Sequence, residues 1–200
     1  MTVGGRSLKK MNIALDGPAG AGKSTVARMV ASRLGYVYVD TGAMYRAVTW
    51  QVLRLGVDLA DEDEIARIAE HTEIELKPGV EGQTVLVGGV DVTDQIRTPA
   101  VNQTVSSIAA ISRVRDILVR KQKQMAAAKG VVMDGRDIGT KVMPDAEVKV
   151  FLDASPRVRA MRRLAEMEAP DITLEQLEEE LRRRDTMDRE RSVSPLTQAP

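Results

Sequence analysis

The run Gly17-Pro18-Ala19-Gly20-Ala21-Gly22-Lys23-Ser24 has the spacing G-x-x-x-x-G-K-[ST], with Thr25 directly behind it. Such a run suits a polyphosphate. Glycines let successive backbone N–H groups turn toward phosphate oxygens, and a helix starting at the end of the run adds the positive end of its dipole. Lys23 brings a mobile point charge to the β- and γ-phosphates, while the Ser24 hydroxyl is placed to ligate Mg2+. The chemistry this implies is binding of ATP or GTP.

A phosphate loop alone does not separate a kinase from a nucleotide-hydrolysing switch, which would need no acceptor. A kinase needs a second phosphate site, and arginine is the residue to seek there, because its planar fork pairs bidentately with phosphate. "DTGAMYR" offers Thr41, Tyr45 and Arg46; "ISRVRD" offers Arg113 and Arg115; "DGRDIGT" offers Arg136 and Asp137. "RRRDTMDRERSVSPL" carries Arg184, Asp188 and Arg191, spaced i, i+4, i+7 and so on one face of a helix. Each has a plainer reading, Arg46 as a surface cation and the late arginines as a solvated, salt-bridged helix. Asp16 and Asp134 close apolar runs beside the loop, where a carboxylate either holds metal-bound water or caps the following turn. Those two readings stand level. The single His71, in "IAEHTEIEL", reads as a solvated surface residue.

These residues need a scaffold, and the apolar patterning supplies one. "MNIALD" is a buried strand ahead of the loop; "KSTVARMVASRLG" follows as a helix with Val26, Met29, Val30 and Leu34 at helical spacing and a C-terminal Gly35. "YVYVD" is a second strand, completing a βαβ unit whose ligands bind beyond the carboxyl ends of the strands. "GVVMDG" and "VKVFLDAS" extend the same parallel sheet. Between "YVYVD" and "GVVMDG", the stretches "TEIELK" and "QTVLVGGVDVT" alternate at period two, with Gly88-Gly89 as a tight turn, and predict a small antiparallel insert. Thr98-Pro99 opens a helical segment running to Ala128, Ser155-Pro156 opens another, and Thr173 with Gln176 makes a capping box for a helix with a Leu174, Leu177, Leu181 stripe.

Composition narrows the class. A chain of 200 residues suits one core fold with insertions, and no apolar run reaches the roughly 20 residues a membrane span requires. "MTVGGRSLKKMN" is too polar for a secretory signal, so the cytoplasm is the expected compartment. The absence of cysteine excludes disulfides, thiolate metal sites and a cysteine nucleophile. The 29 basic and 29 acidic residues cancel, which argues against nucleic acid as a partner and makes any anion binding local.

Taken together, "DGPAGAGKST", "DTGAMYRAV", "IRT", "VRD", "DGRDIGT", "PDAEVKVFLDAS" and "RRRDTMDRERSVSPL" resemble, in order and spacing, the bacterial cytidylate kinases. The resemblance runs from Asn12 onward. It implies a P-loop NTPase-type, three-layer α/β/α fold: core with phosphate loop at 11–40, monophosphate-binding region with the β insert at 41–105, core at 106–154, helical lid at 155–170, and a core-side helix with C-terminal loop at 171–200. It also implies a final strand and helix after "SPL", expected to be missing from these 200 residues. The implied activity is phosphoryl transfer from ATP to CMP and dCMP, within pyrimidine nucleotide metabolism, by a monomer using Mg2+.

Carried over residue by residue, the acceptor phosphate would lie between Arg46, Arg136 and Arg184. Ser106 and Asp188 would hold the ribose, Thr41, Arg115, Asp137 and Arg191 would surround the base, and Tyr45 would belong to the same substrate site. Arg162 and Arg163 would be the phosphate contacts of the lid, either of them pointing inward. Kinases acting on thymidylate or uridylate are the nearest alternatives, and a nucleotide-dependent switch is the alternative from another class.

Overall fold

A computed structural model describes residues 2–3, 6–7, 9–79, 82–167 and 171–200. Its centre is a four-stranded parallel sheet, and the order of the strands explains where a ligand must go. In chain order β3 (Asn12–Asp16) and β8 (Val131–Gly135) lie side by side, β4 (Val37–Asp40) flanks β8, and β9 (Val148–Phe151) flanks β3. The register sets Asp16 opposite Gly135 and Phe151, and Asp40 opposite Asp134. All four strands therefore release their chains at one level. Every residue of β3 and β8 is buried, as expected for inner strands covered on both faces.

One face is covered by α1 (Lys23–Leu34), with Ile13, Leu15 and Val132 packing on Ala27 and Ala31. The predicted helix is present, but its buried face differs from the apolar spacing of the sequence. Val26, Met29 and Leu34 are 38–52% exposed, and the face on the sheet is Lys23, Ala27 and Ala31, at intervals of four. Small side chains let the helix sit close to the strands, so size rather than hydrophobicity selected that face. The opposite side of the sheet packs Ala14, Val39 and Met133 against Val119 and Ala126 of α5 (Ser112–Ala126) and against a π-helical turn at Ile138–Val142. Three layers result, as the sequence implied.

The helix expected from Thr98 to Ala128 is two helices. It is α4 (Pro99–Ala110) and α5, separated by Ile111 in an extended conformation (φ −67°, ψ 116°). The Thr98 hydroxyl donates to the Gln95 carbonyl rather than capping α4. Beyond β4 come α2 (Thr41–Leu55) and α3 (Glu62–His71), which share a core with α4 and α5 through Met44, Val48, Ile65, Ile108 and Leu118. The predicted insert is the antiparallel sheet β5 (Ile74–Gly79), β6 (Gly82–Val87) and β7 (Val90–Asp91). Gly88 and Gly89, both at positive φ, make its β6–β7 turn. Val85 and Val87 pack on Ala43 and Ala47 of α2.

At the C-terminal side, α6 (Pro156–Ala165) and α7 (Leu174–Glu190) pack together through Ala160, Leu177 and Leu181. Ala19 of the phosphate loop belongs to the same cluster. The Ser155 cap and the Thr173–Gln176 capping box are both formed. A short antiparallel pair, β1 (Thr2–Val3) and β2 (Arg6–Ser7), precedes the fold. Among the described residues no helix is long and apolar enough to cross a membrane.

Candidate active site

A cleft of about 1050 Å³ opens at the carboxyl ends of the strands. One wall is the loop between β3 and α1. Gly17 stands at φ +147°, and a Cβ there would fall 1.9 Å from the Leu152 carbonyl oxygen, so only glycine lets the chain turn there. Ala19 to Thr25 line the cleft, whereas Gly17 and Pro18 are buried behind it. Lys23 Nζ donates to the Pro18 carbonyl at 2.7 Å, tying the loop to itself. Burial and the nearby Arg136 guanidinium push the Lys23 ammonium down to about 7, against the pull of Asp134, Asp40 and Asp16.

The two loop-side aspartates, level on sequence grounds, divide. Asp16 accepts the N–H groups of Ile138 and Gly139, both at 2.8 Å, so it anchors a turn more than a hundred residues downstream. Asp134 accepts the Ser24 hydroxyl and the Tyr38 hydroxyl, each at 2.9 Å. Burial and the neighbouring Asp40 push its carboxyl up to about 6. A buried carboxylate beside a second carboxylate and a serine hydroxyl is an arrangement of hard oxygen donors.

The facing wall is built of side chains. Asp40 N-caps α2 through the Ala43 N–H and pairs with Arg46 Nη2 at 2.9 Å, which directs that guanidinium along the cleft. Arg136 Nε donates to Asp188 Oδ2 at 2.7 Å. Burial alone would raise the Asp188 carboxyl; the Arg136 cation reverses this and holds it below the ordinary range. Arg184 is half-buried, and its desolvation together with Arg136 pushes it down to about 10, with Arg46 and Arg163 adding to the effect. Its Nε and that of Arg46 are buried without a hydrogen-bond partner among the described residues. Buried donors with no partner are costly unless something else completes them.

Deeper in, Arg115 donates to Asp137 Oδ2 at 2.6 Å and to the Ala109 carbonyl, and its guanidinium lies 5.4 Å from the Tyr45 ring centre. Arg191, the residue after α7, stands 3.9 Å from Asp137 and 3.8 Å from Asp188. The bend at Ile111 makes this possible, because α5 restarts there and Arg115 lies in its first turn. The Thr41 hydroxyl donates to the Asp134 carbonyl at 2.7 Å. Burial raises Tyr45 to about 12, Arg115 partly opposing it.

A model of the family "Cytidylate kinase" matches residues 13–200. The chain belongs to the cytidylate kinase family. Cytidylate kinase of Geobacillus kaustophilus (strain HTA426) is 54% identical over 194 residues, which cover 96% of this chain and 87% of that protein. Cytidylate kinase of Bacillus subtilis (strain 168) is 52% identical over 193 residues, 96% of this chain and 86% of its own length. Among solved structures, shikimate kinase from Acinetobacter baumannii aligns over 88% of this chain and 74% of that one with a TM-score of 0.41 and 18% identity. Family membership makes the protein a kinase, and ATP is the donor the family implies.

Within this kinase the cleft gathers nearly all the residues singled out from the sequence. Thr41, Tyr45, Arg46, Ser106, Arg115, Arg136, Asp137, Arg184, Asp188 and Arg191 all line it. Arg162 and Arg163 line it too, Arg162 exposed and Arg163 half-buried, and a Cβ at Gly20 would lie 3.7 Å from Arg163 Cδ. Arg113 does not join them; it is exposed and paired with Asp63. His71 is exposed, as expected.

Sequence reasoning passed over Asp40, Tyr38 and Gln83. Gln83, on β6, donates to the Tyr38 carbonyl at 2.7 Å and accepts the Asp40 N–H at 3.1 Å, fastening the insert to the end of β4. A signal for Asp40 existed: an aspartate closing a strand just before a helix is an N-cap. Nothing local marks Gln83.

Proposed function

We propose that the protein transfers the γ-phosphoryl group of ATP to CMP and dCMP, giving ADP and CDP or dCDP. The observation that carries this is the second wall of the cleft: Arg46, Arg136 and Arg184 converge opposite the phosphate loop, with buried donors of Arg46 and Arg184 left unpartnered. A switch protein would not need such a wall. It offers a dianionic phosphate the charge-assisted bonds those groups lack.

In this reading an oxygen of the acceptor phosphate attacks the γ-phosphorus in line, and the bond from that phosphorus to the β–γ bridging oxygen breaks, leaving ADP. No strong general base is needed, since a phosphate monoester with a second pKa of about 6 is mostly ionised at neutral pH. The loop N–H groups hold the donor phosphates. Lys23 exchanges the Pro18 carbonyl for a phosphate oxygen, and Arg162 and Arg163 close from α6 over the transferring group. Closure excludes water, which would otherwise take the phosphoryl group.

The donor set beside the loop fits Mg2+, which takes hard oxygen ligands and keeps several of its waters. Ser24 would hold it directly and Asp134 through water; the ion supplies charge neutralisation between the phosphates. The base is read by hydrogen-bond polarity. The Thr41 hydroxyl already donates to Asp134, so toward the ligand it can only accept, and Asp137 also accepts. Two acceptors suit the N4 amino group of cytosine and oppose the O4 of uracil. Ser106 and Asp188, both lining the cleft, would hold the ribose. On this reading the protein is a monomer acting on small nucleotides in the cytoplasm.

Coupled detection of ADP with ATP and Mg2+ against CMP, dCMP, UMP, dTMP and AMP tests the proposal. CMP and dCMP should stand above the other acceptors. A CMP rate no higher than the rate without acceptor overturns it.

A further inference from the structure

Arg159 is a guanidinium with no place in the chemistry above, yet it is 1% exposed and uses all three of its nitrogens. Nε donates to the Ala154 carbonyl at 2.7 Å, just before α6 begins. Nη1 donates to the Ala19 carbonyl of the phosphate loop at 2.9 Å and to Asp185 Oδ1 at 3.1 Å, and Nη2 donates to Asp185 Oδ2. Asp185 is 3% exposed and lies on α7, next to Arg184 and one turn before Asp188. A single side chain thus joins the phosphate loop, the chain entering α6, and the helix that carries Arg184.

The bond to Ala19 has a directional consequence. A trans peptide is planar, with its C=O and N–H pointing opposite ways. Holding the Ala19 carbonyl toward Arg159 therefore turns the Gly20 N–H the other way, and Gly20 lines the cleft on the side where the donor phosphates bind in the function proposed above. Asp185 keeps the guanidinium in one orientation by a two-pronged pair, which a lysine could not reproduce. A Cβ at Gly20 would lie 3.6 Å from Arg159 Cβ, so the loop and α6 are in direct contact at this point.

We infer that Arg159 and Asp185 form a positioning pair, which aims the Gly20 amide at the donor phosphates and sets the phosphate loop at a fixed distance from α7. The inference rests on the kinase reading for its choice of donor. It adds a role to two residues outside the reacting groups.

The test is Arg159→Lys, which keeps a buried cation beside Asp185 but cannot span Ala19, Ala154 and both carboxylate oxygens. Calorimetry with Mg2+ and the non-hydrolysable analogue AMP-PNP should show donor affinity falling about tenfold or more, the scale of a lost charge-assisted bond. Affinity for CMP, measured without donor, should stay within about twofold, because Arg46, Arg136 and Arg184 keep their own contacts. The double variant Arg159→Met/Asp185→Leu removes both charges and so avoids an uncompensated buried ion; it should show the same split. Donor affinity unchanged in the folded variants overturns the inference, and so does an equal loss for AMP-PNP and CMP, which would mark a merely structural pair. AMP-PNP binding is read without any acceptor, so an unmodified protein that binds the analogue but does not phosphorylate CMP would refute the proposed function and leave this measurement standing.

Discussion

On the phosphate-loop wall, the cleft is lined by one contiguous segment from Ala19 to Thr25, made up largely of glycine and alanine with one lysine. The opposite wall is lined by side chains drawn from α2, the loop after β8, α4, α5, α7 and the residue after it, between Thr41 and Arg191. The first wall needs conformation, which a short string of glycines and a following helix supply. The second needs orientation, and it obtains this from carboxylates: Asp40 holds Arg46, Asp188 holds Arg136, Asp137 holds Arg115. A backbone site is built locally and recognises any nucleoside triphosphate; a side-chain site is built by the whole fold and can be selective.

Replacing the charge on each wall should separate them most widely. Lys23→Met is expected to lower kcat by roughly 10²–10³-fold, as for loss of one transition-state donor, whatever the acceptor. Arg184→Met should instead raise KM for CMP and leave KM for ATP within about twofold. Steady-state kinetics with each nucleotide varied in turn checks this, and a common effect on both KM values would erase the distinction between the walls.

A finer test asks whether the side-chain wall carries the selectivity. Asp137→Asn keeps the shape but adds an N–H donor that can face uracil O4, and CMP-over-UMP preference in kcat/KM should fall by at least about tenfold, or 1.4 kcal/mol. Alanine is a poorer probe, because it would strand the buried Arg115 cation. An unchanged preference would move base recognition to Thr41.

The smallest effect expected lies outside the cleft, at the start of β3. Glu147 accepts the Asn12 N–H at 2.8 Å and pairs with Lys129 at 2.9 Å, and these bonds, Lys129 first, hold its carboxyl down to about 2 from an ordinary 4.5. A depressed carboxylate stabilises the fold fully above pH 4.5 and loses that contribution as the pH falls toward 2. Glu147→Gln should therefore melt slightly below the unmodified protein at pH 7, and the gap should close between pH 4.5 and pH 2. Thermal melts followed by circular dichroism across that range decide it; a gap independent of pH would assign the effect to packing, and both walls would be untouched in either case.

The comparison also explains what could be read from the residues alone. The loop was legible because its spacing is contiguous, and the parallel strands because each is an apolar run closed by aspartate or glycine. The arginines were legible as candidates, but their convergence came only with the resemblance, since no local pattern links Arg46 to Arg184. The break at Ile111 escaped because its residues favour helix on either side. The face of α1 escaped because Ala27 and Ala31 carry less apolar weight than Met29 and Leu34, although close approach to the sheet favours them. Asp16, bonded to a turn after residue 137, and Arg159, bonded to Ala19, work through contacts that sequence spacing does not encode.

The cluster of Arg46, Arg136, Arg163 and Arg184 sits in a chain whose formal net charge is zero. Its mutual repulsion falls within one cleft, where Asp40 and Asp188 offset only part of it. Any small dianion that bound there would relieve it, and by linkage would stabilise the folded state in proportion to the logarithm of its concentration. Inorganic phosphate or sulfate bound there would raise the melting temperature. Thermal stability would then depend on the buffer as well as on the sequence.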